Sequence, residues 1–356
     1  MNASPNVAGD AIPQLSVFCF SDVARDSFAE KYEQLLSTAR LADELNFHAI
    51  WTPERHFHTF GGMFPNPSVI SAALAASTRR IAIRAGSVVL PLHDPLRVAE
   101  EWALVDNLSR GRVGVAFSAG WQRNDFVLNA QNYRQRHELL FSSLEQVQSL
   151  WRGESVTRHD LSLPGNPEPV TLKTWPPAYQ DTIGVWITTG SNPLLFSEAG
   201  KRGLNVLTHL IAQTREQLQE NCVSYRLARQ AAGLDPAAGK ITLMMHTQAG
   251  EDRQALQPRL RPALTGYLQA FMQLSENLHE PSTLTQEAVD KRRAYALKLG
   301  VEKYLSHYGL FGSAAECLEQ LRQLKREGID EVAGLVDFGM SQDSVETTLR
   351  TLATLL

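Results

Sequence analysis

The sequence predicts an α/β protein built as a closed (β/α)8 barrel, a TIM barrel, with insertions. Short apolar runs alternate with longer stretches in which apolar residues recur at helical spacing, and this alternation is typical of parallel sheets. The pattern extends along 356 residues, a length that closed α/β barrels often use as one unit. We therefore expect a single barrel domain over residues 15–356 and a loose tail over residues 1–14.

Four pairs of strand and helix fill the first half of the chain. In each pair an apolar run precedes a stretch with apolar residues on one helical face. The predicted pairs are residues 15–20 with 28–45, 49–52 with 67–77, 81–89 with 95–108, and 113–117 with 135–151. Residues 154–180 then contain proline and threonine without a regular period, which predicts an irregular insertion with room for a hairpin.

The pattern of strand and helix resumes after this insertion. The next predicted strands are residues 185–189, 205–208 and 241–247, followed by helices that begin at residues 193, 213 and 252. Residues 252–330 form a second insertion that is helical in composition and shows no strand pattern. Within it, Ser313 and Glu316 have the spacing of a capping box, and Gly328 lies where that helix would end. Residues 332–336 supply the eighth strand, and residues 341–355 form the last helix.

The composition excludes several classes of function. A formal net charge of -4 and a pI near 6.2 provide no overall basic field for nucleic acid or an anionic membrane. No run of eighteen apolar residues is present, so we expect no spanning helix. Residues 1–14 lack the charged start and apolar stretch of an export signal. Three cysteines without metal-ligand spacing fit a reducing cytoplasm, where we expect the protein.

Functional residues of such a barrel lie at the C-terminal ends of its strands. The predicted ends bring to one mouth residues 18–21, 53–58, 86–88, 118–124 and 188–192, and His209. Among them, Gly190-Ser191-Asn192-Pro193 closes the fifth strand and opens a helix, with Asn192 as the capping residue. The backbone N–H groups there, with the hydroxyls of Thr189 and Ser191, predict a phosphate site, although an ordinary capped turn has the same pattern.

The most polar strand end is Glu54-Arg55-His56-Phe57-His58. His56 is suited to general acid or base catalysis, whereas Arg55 stays charged and is suited to binding an anion. The structural alternative is an ion pair between Glu54 and Arg55, with His56 as a core residue. His56 and His58 also have the spacing of barrel metal hydrolases, but the lysine and paired aspartates of those sites are missing, so we predict no metal. Three isolated histidines are expected to be structural: His93, His137 and His209.

Three stretches together carry a resemblance to a known family. They are Trp51-Thr52-Pro53-Glu54-Arg55-His56-Phe57, the run from Gly86-Ser87 to His93-Asp94-Pro95, and Gly111-Arg112-Val113-Gly114-Val115-Ala116-Phe117-Ser118-Ala119-Gly120-Trp121. With these motifs, the chain resembles the bacterial luciferase-like flavin-dependent monooxygenases over essentially residues 15–356. The run Thr-Pro-Glu-Arg-His-Phe-His is similar to the branch found in or beside nonribosomal peptide and polyketide assembly lines.

The resemblance implies where reduced FMN binds. Its phosphate would lie at the turn of residues 189–191, with Arg136 as an arginine ligand and Arg134 as the competing choice. Its isoalloxazine ring would lie over a non-prolyl cis peptide between Gly86 and Ser87. The residues implied to bind the rest of the cofactor or its phosphate are Phe20, Ser118, Gly120, Trp121, Thr189, Gly190 and Ser191. Ser118 stands where luciferase has a reactive cysteine, which argues against a thiol role.

The resemblance also implies catalytic roles for Arg55 and His56. The first histidine of the Glu-His-His-Phe motif of luciferase, its catalytic one, is replaced here by Arg55, and His56 keeps the second. Arg55 would stabilise an anionic oxygen species or bind an anionic group of the substrate, and His56 would donate or accept a proton. One atom of dioxygen would pass to an organic substrate, a natural-product intermediate that is either a small molecule or an acyl group tethered to a carrier protein.

Several partners follow from the same resemblance. No Gly-x-Gly-x-x-Gly fingerprint follows any predicted strand, so a separate NAD(P)H-dependent flavin reductase would supply the reduced FMN. The oligomeric state stays open, although homodimers are common among relatives. Two other hypotheses stay open: a deazaflavin-dependent oxidoreductase on the same barrel, and a non-catalytic domain that binds flavin or docks a partner.

Overall fold

The computed structural model describes residues 11–20, 28–160, 168–275 and 285–356. Within these ranges, eight parallel strands close into a barrel surrounded by helices, which confirms the predicted fold class. The barrel strands are β1 Gln14–Phe18, β2 Ala49–Thr52, β3 Ala82–Val89, β4 Val113–Ser118, β7 Gly184–Thr188, β8 Asn205–His209, β9 Ile241–Ala249 and β11 Glu331–Leu335. Strands outside the barrel are β5 Val156–Asp160, β6 Glu168–Leu172 and β10 Leu310–Gly312.

The barrel closes through an unbroken ring of parallel pairings. The order around the ring is β1, β2, β3, β4, β7, β8, β9 and β11, and β11 returns to β1. In that last pairing Gln14 faces Glu331 and Phe18 faces Leu335. Gln14 was predicted to belong to the tail, but it is the first residue of β1. Its backbone N–H donates to the carbonyl of Asp330 at 2.9 Å, which ties it to the neighbouring strand.

Helices cover the outside of the barrel, and their starts follow local sequence rules. Asn66, Asp94 and Asn192 each cap a helix that begins with proline. Ser313 and Glu316 form the predicted capping box. The helices are α1 Phe28–Glu44, α2 Pro67–Ser77, α3 Pro95–Ser109, α4 Arg136–Trp151, α5 Pro193–Lys201, α6 Arg215–Ala231, α7 Arg253–Ser275, α8 Gln286–Lys303, α9 Ala314–Arg326 and α10 Gln342–Ala353. Across the four described ranges, no helix combines the length and apolar character needed to cross a bilayer.

The two predicted insertions differ in structure. In the first, β5 and β6 pair antiparallel, with Val156 facing Leu172. In the second, the sequence predicted no strand, and that prediction is wrong because Leu310–Gly312 pairs with β9. Strand β9 is nine residues long and continues past its barrel neighbours, so its end is available for this pairing. Three residues are too few to show a strand period in the sequence.

The hydrophobic core has an outer and an inner part. The outer part lies between the strands and the helices. The inner part fills the barrel with side chains such as Trp51, Trp186 and Leu207, and it continues into α7 through Leu260 and Leu264. Helix α7 therefore packs against the barrel itself rather than extending away from it.

A buried charge network fills the N-terminal end of the barrel. The guanidinium of Arg84 lies 5.0 Å from the ring of Trp51 and 4.4 Å from that of Trp186. Its Nη1 donates to Glu331 Oε2 at 2.7 Å, and Thr242 Oγ1 donates to the same carboxylate. Burial alone would raise the pKa of Glu331, but the charge of Arg84 and the hydrogen bonds hold that pKa below its usual value. This end of the barrel is therefore occupied by paired side chains.

Candidate active site

The residues predicted for the site lie at the C-terminal end of the barrel. They end or follow a strand, lie in the second half of β3, or begin α4: Phe20, Arg55, His56, Gly86, Ser87, Ser118, Gly120, Trp121, Arg136, Thr189, Gly190 and Ser191. Direct contacts connect some of them. The guanidinium of Arg55 lies 5.9 Å from the ring of Phe20 and 5.1 Å from that of Trp121. Arg136 Nε donates to the carbonyl of Gly120 at 3.2 Å.

The peptide bond between Gly86 and Ser87 is cis, as the resemblance implied. The pairing of β3 with β4 shifts register between Gly86 and Val88, so Ser87 has no partner residue on β4. A Cβ atom at position 86 would lie 2.8 Å from the ring of Phe18 and 3.0 Å from that of Trp51. The close packing of the barrel interior therefore requires glycine here, and the chain bulges at the mouth.

The turn after β7 has the features expected of an anion site. Asn192 Oδ1 accepts from the N–H of Leu194 at 3.1 Å and caps α5. The hydroxyls of Thr188 and Thr189 are buried and have no hydrogen-bond partner, whereas Ser191 is exposed. Buried hydroxyls are normally paired in folded proteins. These two are therefore suited to bonding a polar ligand.

Arg136 is held beside this mouth by the backbone. Its Nη1 donates to the carbonyl of Tyr133 at 2.9 Å, and its guanidinium lies 4.4 Å from the Tyr133 ring. Gly120, its other backbone partner, has a φ of 76°, and a Cβ there would lie 2.6 Å from Val89. Arg134, the competing choice for the phosphate, is exposed. Arg136 is thus the more constrained of the two arginines.

Arg55 pairs with Asp125, which lies in the loop after β4. Arg55 Nη1 and Asp125 Oδ2 are 3.6 Å apart, and both side chains are buried. The alternative of an ion pair between Arg55 and Glu54 is wrong, because the hydrogen bonds of Glu54 go to other groups. Arg55 Nε and Asp125 Oδ1 have no partner. Burial lowers the pKa of Arg55 and raises that of Asp125, while the attraction between the two opposes both changes.

Glu54 connects two histidines. Its Oε1 accepts from His56 Nε2 at 2.8 Å and from His93 Nε2 at 2.6 Å, and its Oε2 accepts from the N–H of Val89 at 2.7 Å. Burial alone would raise the pKa of Glu54, but these bonds hold the pKa below its usual value. Burial would lower the pKa of His93, but the bond to Glu54 raises it. The carboxylate therefore orients both imidazoles and favours a proton on each Nε2.

Sequence reasoning missed several groups of this site. His93 was expected to be merely structural, and Asp125 was not considered, although both follow strands that supplied other candidates. His246 and Tyr267 were also missed. His246 lies on β9, whose C-terminal end was left out of the set of strand ends. Including all eight strand ends would have found His246, whereas Tyr267 lies on α7 and no local pattern indicates its position.

Comparisons with known proteins identify the family. The sequence profile of the family described as luciferase-like monooxygenase matches residues 14–331. The chain is similar to the oxygenase component of flavin-dependent trigonelline monooxygenase from Acinetobacter baylyi, with 23% identity over 347 residues, or 94% of this chain and 92% of that protein. The crystal structure of monooxygenase RslO1 from Streptomyces bottropensis has a TM-score of 0.77 at 25% identity, covering 96% of this chain and 98% of that one.

A third comparison concerns the fold alone. The oxygenating constituent of 3,6-diketocamphane monooxygenase from Pseudomonas putida, solved in complex with FMN, has a TM-score of 0.74 at 15% identity, covering 97% of this chain and 98% of that one. The family profile spans most of this chain and includes every residue predicted for the site. The chain therefore belongs to the luciferase-like monooxygenase family.

Proposed function

We propose that this protein is a monooxygenase that uses reduced FMN and dioxygen to transfer one oxygen atom to an organic substrate. The observation that carries the proposal is the pair of buried, unpartnered hydroxyls of Thr188 and Thr189 beside the start of α5. The bulged backbone at Gly86 and Ser87 lies at the same end of the barrel. A phosphate group and a flat ring are the ligand parts that these two features suit.

The residues present fit FMN. The N–H groups at the start of α5, with Thr189, Ser191 and Arg136, supply donors and positive charge for its phosphate. The bulge at Gly86 and Ser87 would support its ring. The remaining residues proposed to hold it are Phe20, Ser118, Gly120, Trp121 and Gly190.

The chain's own groups can then control charge and protons. When bound, reduced FMN supplies the electrons that activate dioxygen. Arg55 stays charged beside Asp125 and would stabilise negative charge on the reacting oxygen. His56 uses Nε2 to bond Glu54, so Nδ1 is the nitrogen that would exchange a proton with the reacting molecule. Helix α7, packed on the barrel, would help to exclude water.

We propose that a separate NAD(P)H-dependent flavin reductase supplies the reduced FMN. The support is the similarity to a protein named as an oxygenase component, together with the lack of a dinucleotide fingerprint in the sequence. The proposal predicts turnover with photochemically reduced FMN and no oxidation of NADH or NADPH by the purified chain alone. Direct oxidation of either nucleotide by the pure protein would contradict it.

The substrate is proposed to be a natural-product intermediate, either free or tethered to a carrier protein, on the similarity to the assembly-line branch. Turnover of an acyl group loaded on a carrier, compared with the same free acid, tests the tethered form. No preference for the loaded carrier would favour a free substrate.

We also propose a homodimer, which light scattering after gel filtration measures directly.

FMN binding is tested with Thr189→Val. Because the hydroxyl of Thr189 has no partner in the protein, its removal should leave the free energy of unfolding unchanged and weaken FMN binding about tenfold. Thr348→Val is the matched control, since the Thr348 hydroxyl is buried on α10 and bonds backbone carbonyls. That variant should lose stability and keep its FMN affinity. Equal FMN affinity in wild type and Thr189→Val would contradict the assignment.

The two other hypotheses give different results in simple assays. Oxygen uptake during turnover distinguishes a monooxygenase from a deazaflavin-dependent oxidoreductase, which transfers hydride without dioxygen. Loss of activity in Arg55→Ala and His56→Ala, with FMN affinity retained, would exclude a non-catalytic flavin-binding or docking domain. A protein that binds FMN in neither redox state would contradict the proposed function altogether.

A further inference from the structure

His209 faces the mouth of the barrel from the end of β8. Side chains alternate along a strand, so residues 207 and 209 point to the same face. Leu207 belongs to the inner core, and its Cδ2 would lie 3.1 Å from a Cβ atom at Gly86, the glycine of the β3 bulge. Leu210, which points the other way, packs in the outer core. His209 is therefore the inward residue that follows Leu207 at the C-terminal end of the barrel.

The imidazole of His209 lies beside the turn after β7. A Cβ atom at Gly190 would be 3.4 Å from Cε1 of His209 and 3.8 Å from its Nε2, so this edge of the ring faces the turn. The hydroxyl of Thr208 donates to the carbonyl of Gly190 at 3.3 Å, which ties the end of β8 to the same turn. Because Gly190 has no side chain, residue 190 does not fill the space next to Nε2.

A backbone hydrogen bond fixes which nitrogen of His209 carries the proton. Nδ1 accepts from the N–H of Ile211 at 3.3 Å, so Nδ1 presents a lone pair and Nε2 holds the hydrogen. Burial lowers the pKa of His209 to about 4, so the ring is neutral at physiological pH and keeps this arrangement. The residue is half-buried, and its Nε2 bonds no other group in the part of the chain that the structure describes. Nε2–H is thus a donor that the protein itself does not use.

One buried amide holds His209 at this position. Gln213 Nε2 donates to the carbonyl of His209 at 2.9 Å and to Thr208 Oγ1 at 2.8 Å. Gln213 Oε1 accepts from Asn221 Nδ2 at 3.0 Å, which fixes the amide in turn. The backbone of His209 and, through Thr208, the carbonyl of Gly190 are therefore held by the same side chain. The donor and the turn keep a fixed relation to each other before any ligand binds.

We propose that His209 is a further cofactor-binding residue, which donates its Nε2–H to a phosphate oxygen of FMN bound at the turn of residues 189–191. This inference rests on the proposed function, because it adds a donor to the same cofactor site. A neutral N–H gives the phosphate a directed hydrogen bond, while Arg136 supplies positive charge. Riboflavin has no phosphate and would leave this donor unused, so His209 also favours FMN over riboflavin.

The test compares the binding of reduced FMN and reduced riboflavin to the flavin-free protein, by calorimetry under anaerobic conditions. His209→Leu should bind FMN about tenfold more weakly than wild type and bind riboflavin equally well. His209→Gln, which keeps an N–H donor, should restore most of the preference for FMN. Leu210→Met, a conservative change at the neighbouring residue that points to the outer core, is the control and should keep the wild-type ratio of the two affinities.

A measurement on wild type keeps the inference testable even if a variant does not fold. In protein labelled with nitrogen-15, the Nε2 resonance of His209 is assigned by its loss in His209→Gln or, without that variant, by its coupling within the ring. Addition of FMN should shift this resonance and leave the proton on Nε2. Addition of riboflavin should shift it much less, because the phosphate is missing.

Several results would overturn the proposal. An unchanged ratio of FMN to riboflavin affinity in His209→Leu would show that Nε2 does not bond the phosphate, whether both affinities fall together or neither changes. An Nε2 resonance that FMN does not move would show the same. In each of these cases wild type still binds FMN, so the result counts against the role of His209 alone. Failure of wild type to bind either flavin would overturn the proposed function together with this inference.

Discussion

The replacement Glu54→Gln tests the arrangement that holds both histidines at the mouth. The carboxylate accepts three hydrogen bonds of 2.6–2.8 Å, two of them at Oε1 from His56 and His93. Glutamine has a single carbonyl oxygen, and its amide nitrogen only donates, so it cannot accept from both histidines and from Val89. Breaking a buried charged network by removing one partner costs roughly 3–5 kcal/mol. We expect the free energy of unfolding to fall by that amount in urea denaturation.

The same network predicts how stability depends on pH. The pKa of Glu54 is held below 4.5, so its contribution is present above that pH and is lost as pH falls through the lowered pKa. The pKa of His93 is raised above 6.5, so its contribution is present below that pH and is lost as pH rises through the raised pKa. The difference in stability between wild type and Glu54→Gln should therefore be largest between pH 4.5 and 6.5.

A titration of His93 by NMR isolates the interaction. In Glu54→Gln the pKa of His93 should fall, because burial remains and the carboxylate that raises the pKa is gone. Glu101→Gln is the matched control, since Glu101 also raises the pKa of His93 but makes no hydrogen bond to it. It should produce a much smaller change. Unfolding of Glu54→Gln like wild type throughout this pH range, with an unchanged titration of His93, would contradict the prediction.

Three further outcomes can be measured by urea or thermal unfolding. Arg84→Met leaves the carboxylate of Glu331 buried without its cation and should lower the free energy of unfolding by roughly 3–5 kcal/mol. Adding Glu331→Met should recover part of that loss. A single variant as stable as wild type would contradict this prediction. Gly120→Ala should lose more stability than Gly233→Ala. The two glycines have similar φ values, 76° and 75°, but of these two positions an added Cβ meets neighbouring atoms only at Gly120. Equal losses of stability would contradict this prediction. Ser313→Ala removes the side-chain cap of α9 and should lower the free energy of unfolding by about 1 kcal/mol. An unchanged free energy of unfolding would show that the Ser313 hydroxyl does not stabilise the helix.

The barrel was predictable because each of its elements repeats a local pattern. The eighth strand, predicted at residues 332–336, is found at Glu331–Leu335, and the helix predicted at residues 67–77 is found at Pro67–Ser77. Strand and helix periods are properties of consecutive residues, so one sequence suffices to recognise them. The short strand Leu310–Gly312 was missed because it pairs with the end of β9. The position of that end cannot be recognised from the residues next to Leu310–Gly312 in the sequence.

The candidate site was predictable where it depends on backbone. Motifs at the strand ends placed the turn before α5 and residues 86–88 at one mouth, because C-terminal ends of parallel strands meet there. The cis peptide between Gly86 and Ser87 followed only from the resemblance to the family. The side-chain partners were not predictable. The alternative of an ion pair between Glu54 and Arg55 does not form. Glu54 instead bonds His93 from the loop after β3, and Arg55 pairs with Asp125 from the loop after β4.

The sequence by itself determined the (β/α)8 architecture, the family and some of the residues at the mouth, since these follow from local periods and from motifs of consecutive residues. Only the tertiary structure decided which residues are paired and which are left unpaired. Glu54 bonds a histidine from another loop, and His246 is enclosed by rings from three elements while its Nε2 stays unpaired. Burial and hydrogen bonding depend on groups that are distant in the chain, and they set the charge and availability of each site residue.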